Sequence, residues 1–468
     1  MRTLTKSRAA WACVMAMTLA IASCGPNARG DGDANSSDDA PPSGPPSSVR
    51  GRVWAPGLNP AVVGSDNAIP VAGAAVYITD TRPAQIPLGA YCEPCQATPS
   101  GATFTDALGN FLIPTIPPGR HWLVIQKAQF RLEQQLVIAP NVVLELGEAQ
   151  STLPSKRDYA AGKTVPHVAI GTGGYDHLEN IMGKMGMGAV DASGVFTMTF
   201  GDVDIFTNGG GDYGAAMGTL ESLVRDGNKM RQYHIIFIPC SGDAFTSALQ
   251  DQTVLRNIRD FVKAGGKLYV TDWSGEWMDN VFPAQIELGA FGFGGGLGPK
   301  TDTPASAYNP ATDTWNTSAF GDADGDAYDS NDAGVLDGKL GAWLGAQKSP
   351  TPDNATPAII NASRFKTVDN WNWIKQLNAV AVGVNAQGVP VTDTPKAWVN
   401  GSNPLPIGGG GGQKHPLTVT FEPAGCGRVL YSTYHTTETA HTGLFPQERI
   451  LLYLMMEIGV CSDNPIVE

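Results

Sequence analysis

Three short stretches hold the side chains whose types and spacing could do chemistry. Cys240-Ser241-Gly242 closes an apolar run at 235–238. Asp272-Trp273-Ser274-Gly275-Glu276 follows a second apolar run at 268–270, and His435 stands three residues before Glu438 near the end of the chain. A thiol, carboxylates and an imidazole are the groups of nucleophilic and general acid–base catalysis. Asp272, Glu276 and His435 could also activate water, directly or through a metal. Each has a structural alternative. Cys240 reads equally as a packed thiol at a strand end, Asp272 as a turn or helix cap, and His435 as a hydrogen-bond partner of the backbone. A fourth stretch, 321–334, alternates Asp322, Asp324 and Asp326 as the first ligands of a calcium loop would. It departs from that pattern with Ala327 where a glycine belongs and no glutamate at the twelfth position. A solvated acidic loop is the other reading.

The first two stretches need a scaffold. Between them Val254, Leu255, Ile258, Phe261 and Val262 fall on one helical face, and Gly265-Gly266 ends the helix. An amphipathic helix between two apolar runs predicts a β-α-β crossover with parallel strands. Ligands of open parallel sheets bind beyond the carboxyl ends of the strands, where Cys240 and Asp272 fall. The Gly-rich stretch 171–177, ending in Tyr175-Asp176-His177, follows a first strand at 165–170 and is expected at the same edge, with the turn around His435 close by. Cys240 ends the strand before the Asp272 turn, so it is expected to lie too far from His435 for a thiol–imidazole pair.

Residues 1–24 decide the compartment. Arg2, Lys6 and Arg8 precede an apolar stretch at 10–22 of about 13 residues, short of the roughly 20 that span a bilayer. The stretch ends Ile21-Ala22-Ser23-Cys24, which resembles the bacterial lipobox, and that resemblance implies diacylation of Cys24 and cleavage before it. An ordinary signal peptide is the alternative. No later stretch is long and apolar enough to cross a membrane. The net charge of −13 becomes about −16 once the three basic residues of the signal are removed, which excludes nucleic acid and anionic lipid headgroups as partners. Export means an oxidising environment in which disulfides persist. Five of the seven cysteines remain after Cys13 and Cys24 are set aside. Cys92-Glu-Pro-Cys95 sits in a Pro-rich loop without a second zinc pair, so it is read as a loop-stapling disulfide. Cys426 and Cys461 flank the last strand and helix and are read as its counterpart, leaving Cys240 unbridged.

At 468 residues, with 56 Gly, 34 Pro and 16% charged residues, the chain is expected to form two loop-rich domains. The signal occupies 1–23. Residues 24–48 hold almost nothing apolar and read as a flexible tether. Residues 49–146 are short β-rich runs punctuated by Gly and Pro. Gly51-x-Val53, Val71-Ala72-Gly73-Ala74-x-Val76, Thr105-Asp106-x-x-Gly109-x-Phe111 and Ile116-Pro117-Pro118-Gly119-x-x-x-Leu123 resemble the carboxypeptidase regulatory-like domain, a transthyretin-like β-sandwich without catalytic residues. A long insertion at about 80–100 departs from it. Residues 147–164 read as a linker and 165–468 as an α/β domain interrupted at 285–360 by an irregular insertion. Helices are expected at 179–187, 215–225, 365–377 and 446–459. Strands are expected at 196–200, 203–206, 379–383, 417–421 and 427–432. The glycine run 408–412 lacks the lysine and helix of a phosphate-cradling loop and reads as flexible.

The runs YHIIFIPCSG (233–242), VLRNIRDFVKAGGKLYVTDW (254–273) and GRVLYSTYHTTE (427–438) resemble the class I glutamine amidotransferase-like fold, nearest its trehalose-utilisation-type branch. The resemblance implies a flavodoxin-like α/β domain with a mostly parallel sheet following the all-β sandwich. It also implies a nucleophilic Cys on the turn after the fourth strand and a late His-x-x-Glu. His435 and Glu438 match, but the turn reads Thr271-Asp272-Trp273-Ser274, with no Cys. Asp272 cannot replace a thiolate in amide transfer. Asp272-x-Ser274-x-Glu276 also resembles an integrin-type metal motif, which belongs after a domain's first strand and not here. The expectation is an exported, lipid-anchored envelope protein, facing the periplasm or the cell surface, that binds a protein or carbohydrate without catalysis. A hydrolase acting through the strand-end cleft and a structural envelope component are the alternatives. No cofactor is expected beyond calcium. Radiolabelled lipid is expected on the wild type and absent from Cys24→Ala; label retained in the variant would overturn the lipobox reading.

Overall fold

The computed structural model describes residues 44–92, 99, 101–241, 247–288, 308–317, 333–347, 359–361, 364–402, 414–459 and 466–467. All of them belong to the compact unit Pro42–Glu468. Cys24, Cys95, Gly242, Asp322, Asp324, Asp326, Cys461 and the 408–412 run lie outside the described residues.

The amino-terminal part is mostly β, with one-turn helices at Pro60–Val63 and Glu148–Ser151. Ser47–Arg52 pairs antiparallel with Asn110–Ile116 and parallel with Val143–Glu145. A second, antiparallel sheet runs Thr103–Phe104, Ala75–Thr79, Gly119–Lys127, Phe130–Ile138, Lys163–Thr164. Alternation turns Phe111 and Ile113 of one sheet, and Leu123 and Ile125 of the other, into a shared core, which Ile116 joins across an irregularity in the pairing. The turn expected at 106–109 forms: Asp106 Oδ1 accepts from the amides of Leu108 and Asn110 at 2.9 and 2.8 Å. Gly109 has φ +79°, and a Cβ there would lie 2.6 Å from the Val53 carbonyl oxygen.

The large sheet is mixed and 11-stranded. Ala216–Thr219, Val203–Thr207, Val168–Thr172, Ile235–Ile238, Lys267–Thr271 and Arg428–Ser432 are parallel in that spatial order. Beyond Arg428–Ser432 the strands Lys414–Phe421, Lys396–Ser402, Ala333–Val335, Arg364–Phe365 and Ile359–Asn361 continue it antiparallel. Five parallel and five antiparallel pairings replace the mostly parallel sheet expected. The antiparallel half is built from Lys414–Phe421, Lys396–Ser402 and Arg364–Phe365, and the 285–360 insertion adds Ala333–Val335 and most of Ile359–Asn361 to it.

The crossover helix forms at Gln252–Lys263, with Asp251 as its cap and the five expected apolar residues buried. Strand alternation then sorts the two flanking strands. Ile236, Ile238, Leu268 and Val270 face this helix's core, and Ile235, Phe237 and Tyr269 face the opposite one. That opposite core is filled by Pro446–Ile458, a helix buried along nearly its whole length, and the same cluster contains the amino-terminal sheet residues. A sheet covered on both faces explains why its central strands read as unbroken apolar runs.

Four expectations need correction. Residues 147–164 are not a free linker: a short helix, Glu148–Ser151, and the strand Lys163–Thr164 build them into the β part, with Leu153 buried. No helix forms at 365–377. Phe365 closes a strand, Ile374–Leu377 pairs with Ile286–Leu288, and between them a polar loop with Asp369 at φ +55° turns inward. Residues 215–225 divide into the strand Ala216–Thr219 and the helix Leu220–Val224, capped by Thr219. The first strand begins at Ser47, inside the expected tether.

The cysteine pairing is also different. Cys92 bonds Cys426, 334 residues away, so neither Cys92–Cys95 nor Cys426–Cys461 is the bridge. The 80–100 insertion explains this. Its described residues 86–92 run across the amino-terminal ends of the central parallel strands, where His234 Nε2 donates to the Pro87 carbonyl at 2.9 Å and the Ala90 amide donates to the Arg231 carbonyl. Cys240 is a buried thiol outside any disulfide. Non-reduced peptide mapping is expected to recover the Cys92 and Cys426 peptides joined. Cys92→Ser is expected to lower stability by about 2–5 kcal/mol, read from denaturant midpoints. A Cys92–Cys95 bridge or one through Cys240 would overturn the pairing.

Candidate functional site

The carboxyl ends of the parallel strands bring the singled-out residues together. Cys240 follows Ile235–Ile238, Asp272 follows Lys267–Thr271, and His435 follows Arg428–Ser432. Donor atoms of these three side chains lie within 4.8 Å of one another, and all three residues are at most 1% exposed. Cys240 and His435 thus belong to one cluster, although no hydrogen bond joins the thiol to His435 Nε2, the atom a thiol–imidazole pair would use. Adjacent parallel strands carry Cys240 and Asp272 side by side, and the chain after Arg428–Ser432 folds back over both.

Asp272 stands on a sharp turn in the left-handed conformation, φ +46°, where a residue with a side chain is strained. The surroundings hold it there. Its carboxylate oxygens accept from the Trp371 amide at 3.1 and 3.0 Å, and its carbonyl accepts from the Tyr431 hydroxyl at 3.0 Å. Asp272 thus shapes the turn, as its structural alternative required, while its carboxylate also faces His435. The His435 ring donates from Nδ1 to the Thr436 carbonyl at 2.6 Å. A carbonyl can only accept, so the proton sits on Nδ1. Nε2 then points toward Asp272 Oδ2 at 3.6 Å, beyond hydrogen-bond length. It has no hydrogen-bond partner among the described residues.

Two other carboxylates were singled out, and neither joins the group. Glu276 is buried at the start of the short helix Glu276–Asp279 but is not one of the three clustered donors. Glu438 is exposed. It does not orient His435; its charge instead helps raise the pKa of His177, whose main cause is the hydrogen bond to Glu179, acting against burial.

Sequence reasoning missed the residue that ties the strand ends together. Asp176, fully buried, accepts from Thr271 Oγ1 at 2.5 Å, from Thr436 Oγ1 at 2.6 Å and from the Thr436 amide at 3.1 Å. Thr271 Oγ1 in turn accepts from the Cys240 amide at 2.9 Å. Beside it Glu179 Oε1 accepts from the Tyr213 hydroxyl at 2.6 Å, and burial, with Glu179, pushes that phenol's pKa far up. The only signal was position: Asp176 lies in the Gly-rich stretch after the first strand. Also missed was the aromatic roof. Trp273 meets Tyr175 and Trp371 edge to face, with centroids 5.9 and 5.5 Å apart, and Trp273 Nε1 donates to the Trp371 carbonyl at 3.1 Å. Tyr175 and Trp371 are 41% and 38% exposed.

No described helix is long and apolar enough to cross a membrane. No protein-family model matches the chain, and no curated protein matches it.

With Cys240 only 1% exposed, iodoacetamide is expected to modify it at least about 100-fold more slowly in the native protein than in denaturant. A native rate within about tenfold of the unfolded one would show that the thiol is not closed off from solvent.

Proposed function

We propose that the protein is an exported envelope protein, anchored by lipid on Cys24, that binds a carbohydrate at the strand ends of its α/β part without turning it over. The observation that carries the non-catalytic reading is Asp272. It occupies the turn where the amidotransferase-like fold places its nucleophile, yet it is fully buried and its carboxylate is engaged by the Trp371 amide. The family assignment is part of the proposal. Leaving out the short edge strand Ala216–Thr219, the parallel strands run 2-1-3-4-5 in chain order, the order of flavodoxin-like sheets. The two sheets at 47–164 are consistent with an accessory sandwich of the carboxypeptidase regulatory-like kind.

The carbohydrate reading rests on the roof. Tyr175, Trp273 and Trp371 offer rigid rings at the sheet edge where ligands of such folds bind. Aromatic faces pack against the C–H faces of sugar rings, and exposed rings of this size are otherwise costly to leave in water. Saturable tryptophan fluorescence changes are expected with neutral or envelope-derived oligosaccharides, weakened about tenfold or more by Trp371→Ala. No saturable response to any such oligosaccharide up to about millimolar concentration would overturn the reading.

One observation favours the hydrolase as a second reading: Cys240, Asp272 and His435 do come together. Rapid alkylation of Cys240 near about pH 6, suppressed by His435→Ala, would mark an activated thiol and promote it.

A further inference from the structure

We propose that Cys240, Asp272 and His435 form a binding site for one divalent transition-metal ion of the zinc class. This goes beyond the surface role of the aromatic roof and does not depend on it.

The argument starts from His435 Nε2. The atom is fully buried, has no hydrogen-bond partner among the described residues, and points into the group. Because Nδ1 donates to the Thr436 carbonyl, the neutral ring presents the Nε2 lone pair to the Asp272 carboxylate 3.6 Å away. Two electron-rich atoms facing each other in a closed space repel unless something positive lies between them. A proton on Nε2 would make an imidazolium–carboxylate pair, but 3.6 Å leaves that pair without a hydrogen bond. A metal ion fits better. Bonds of about 2.0–2.1 Å to nitrogen and about 2.0–2.2 Å to oxygen, at the tetrahedral angle, separate the two donors by about 3.4 Å. Cys240 Sγ lies within 4.8 Å of both. A zinc–sulfur bond of about 2.3 Å asks for a separation near 3.6 Å, so the thiol side closes by no more than about 1.2 Å.

The donor set selects the ion. One sulfur, one imidazole nitrogen and one carboxylate oxygen suit a borderline-soft cation, whereas calcium and magnesium require oxygen ligands. A thiolate and a carboxylate supply the two negative charges that a divalent ion neutralises. The supports are in place too. The Thr436 carbonyl fixes the His435 tautomer and the Trp371 amide orients the Asp272 carboxylate, which is how outer hydrogen bonds hold metal ligands. Three protein ligands leave a fourth position for water or a small ligand.

The full-length protein is stripped with chelator and titrated with Zn(II) alone, and in parallel with Co(II) as an optical probe. One zinc per chain is expected by elemental analysis. Cobalt is expected to give tetrahedral absorption with a thiolate-to-cobalt charge-transfer band. Cys240→Ser removes that band, and His435→Ala weakens zinc binding by about 100-fold or more. Absence of stoichiometric zinc and of the cobalt spectrum in the wild type overturns the proposal without any variant. A charge-transfer band that survives in Cys240→Ser comes from other thiols and overturns it as well. So does an Nε2-protonated His435 in wild-type protein that stays metal-free at saturating zinc, seen by nitrogen NMR.

Discussion

One buried carboxylate holds the parallel strand ends of the large sheet together. Asp176 accepts three hydrogen bonds, two of them from the loop that carries His435 and one from the last residue before Asp272. That last residue, Thr271, passes the link on to the Cys240 amide. Hydrogen bonds to a charged acceptor contribute about 1.5–3 kcal/mol each, and leaving such a group buried without them costs more. The charge is therefore tolerable only while three separate strand ends stay together. The strained backbone of Asp272 and the fixed ring of His435 are both set within this frame. A turn at φ +46° persists where its surroundings over-determine it, and here they do.

The second organising feature is the helix Pro446–Ile458. Its buried length faces the large sheet on one side and the amino-terminal β part on the other. Lys127 pairs with Glu457 at 2.6 Å, and Gln129 Nε2 donates to the Gly459 carbonyl at 3.1 Å. Trp343 Nε1 reaches the Pro70 carbonyl at 2.8 Å. Those contacts join regions that composition would separate into two domains. A shared helix turns what looked like a bead-and-linker arrangement into a single packed body.

Periodicity made the central β-α-β unit legible. The residues on the buried face of Gln252–Lys263, the flanking strands and the gathering of four loops at one edge could all be read from apolar spacing and glycine stops. The strand–helix boundary near Ala216, the path through 365–377 and the cysteine pairing could not. Each depends on a partner far away in the chain. Ile374–Leu377 is a strand because Ile286–Leu288 lies beside it, and Cys92 pairs with Cys426 because residues 86–92 run across the amino-terminal ends of the central strands. Nearness in sequence was the wrong guide for the cysteines. For the site, the three donor types were visible at once. Their approach was not, because it depends on how the chain after Arg428–Ser432 folds back. Asp176 carried no spacing that set it apart from a turn residue.

The bridge between Cys92 and Cys426 makes most of the chain a covalent ring. A protease that nicks the backbone once at any point within that ring opens it without dividing the molecule. Both fragments remain attached at the amino-terminal end of the strand Arg428–Ser432, and the cleaved protein migrates as one species until a reductant is added. A chain that stops short of residue 426 has no such closure, so the first cysteine of the pair is left unsealed in every truncated product.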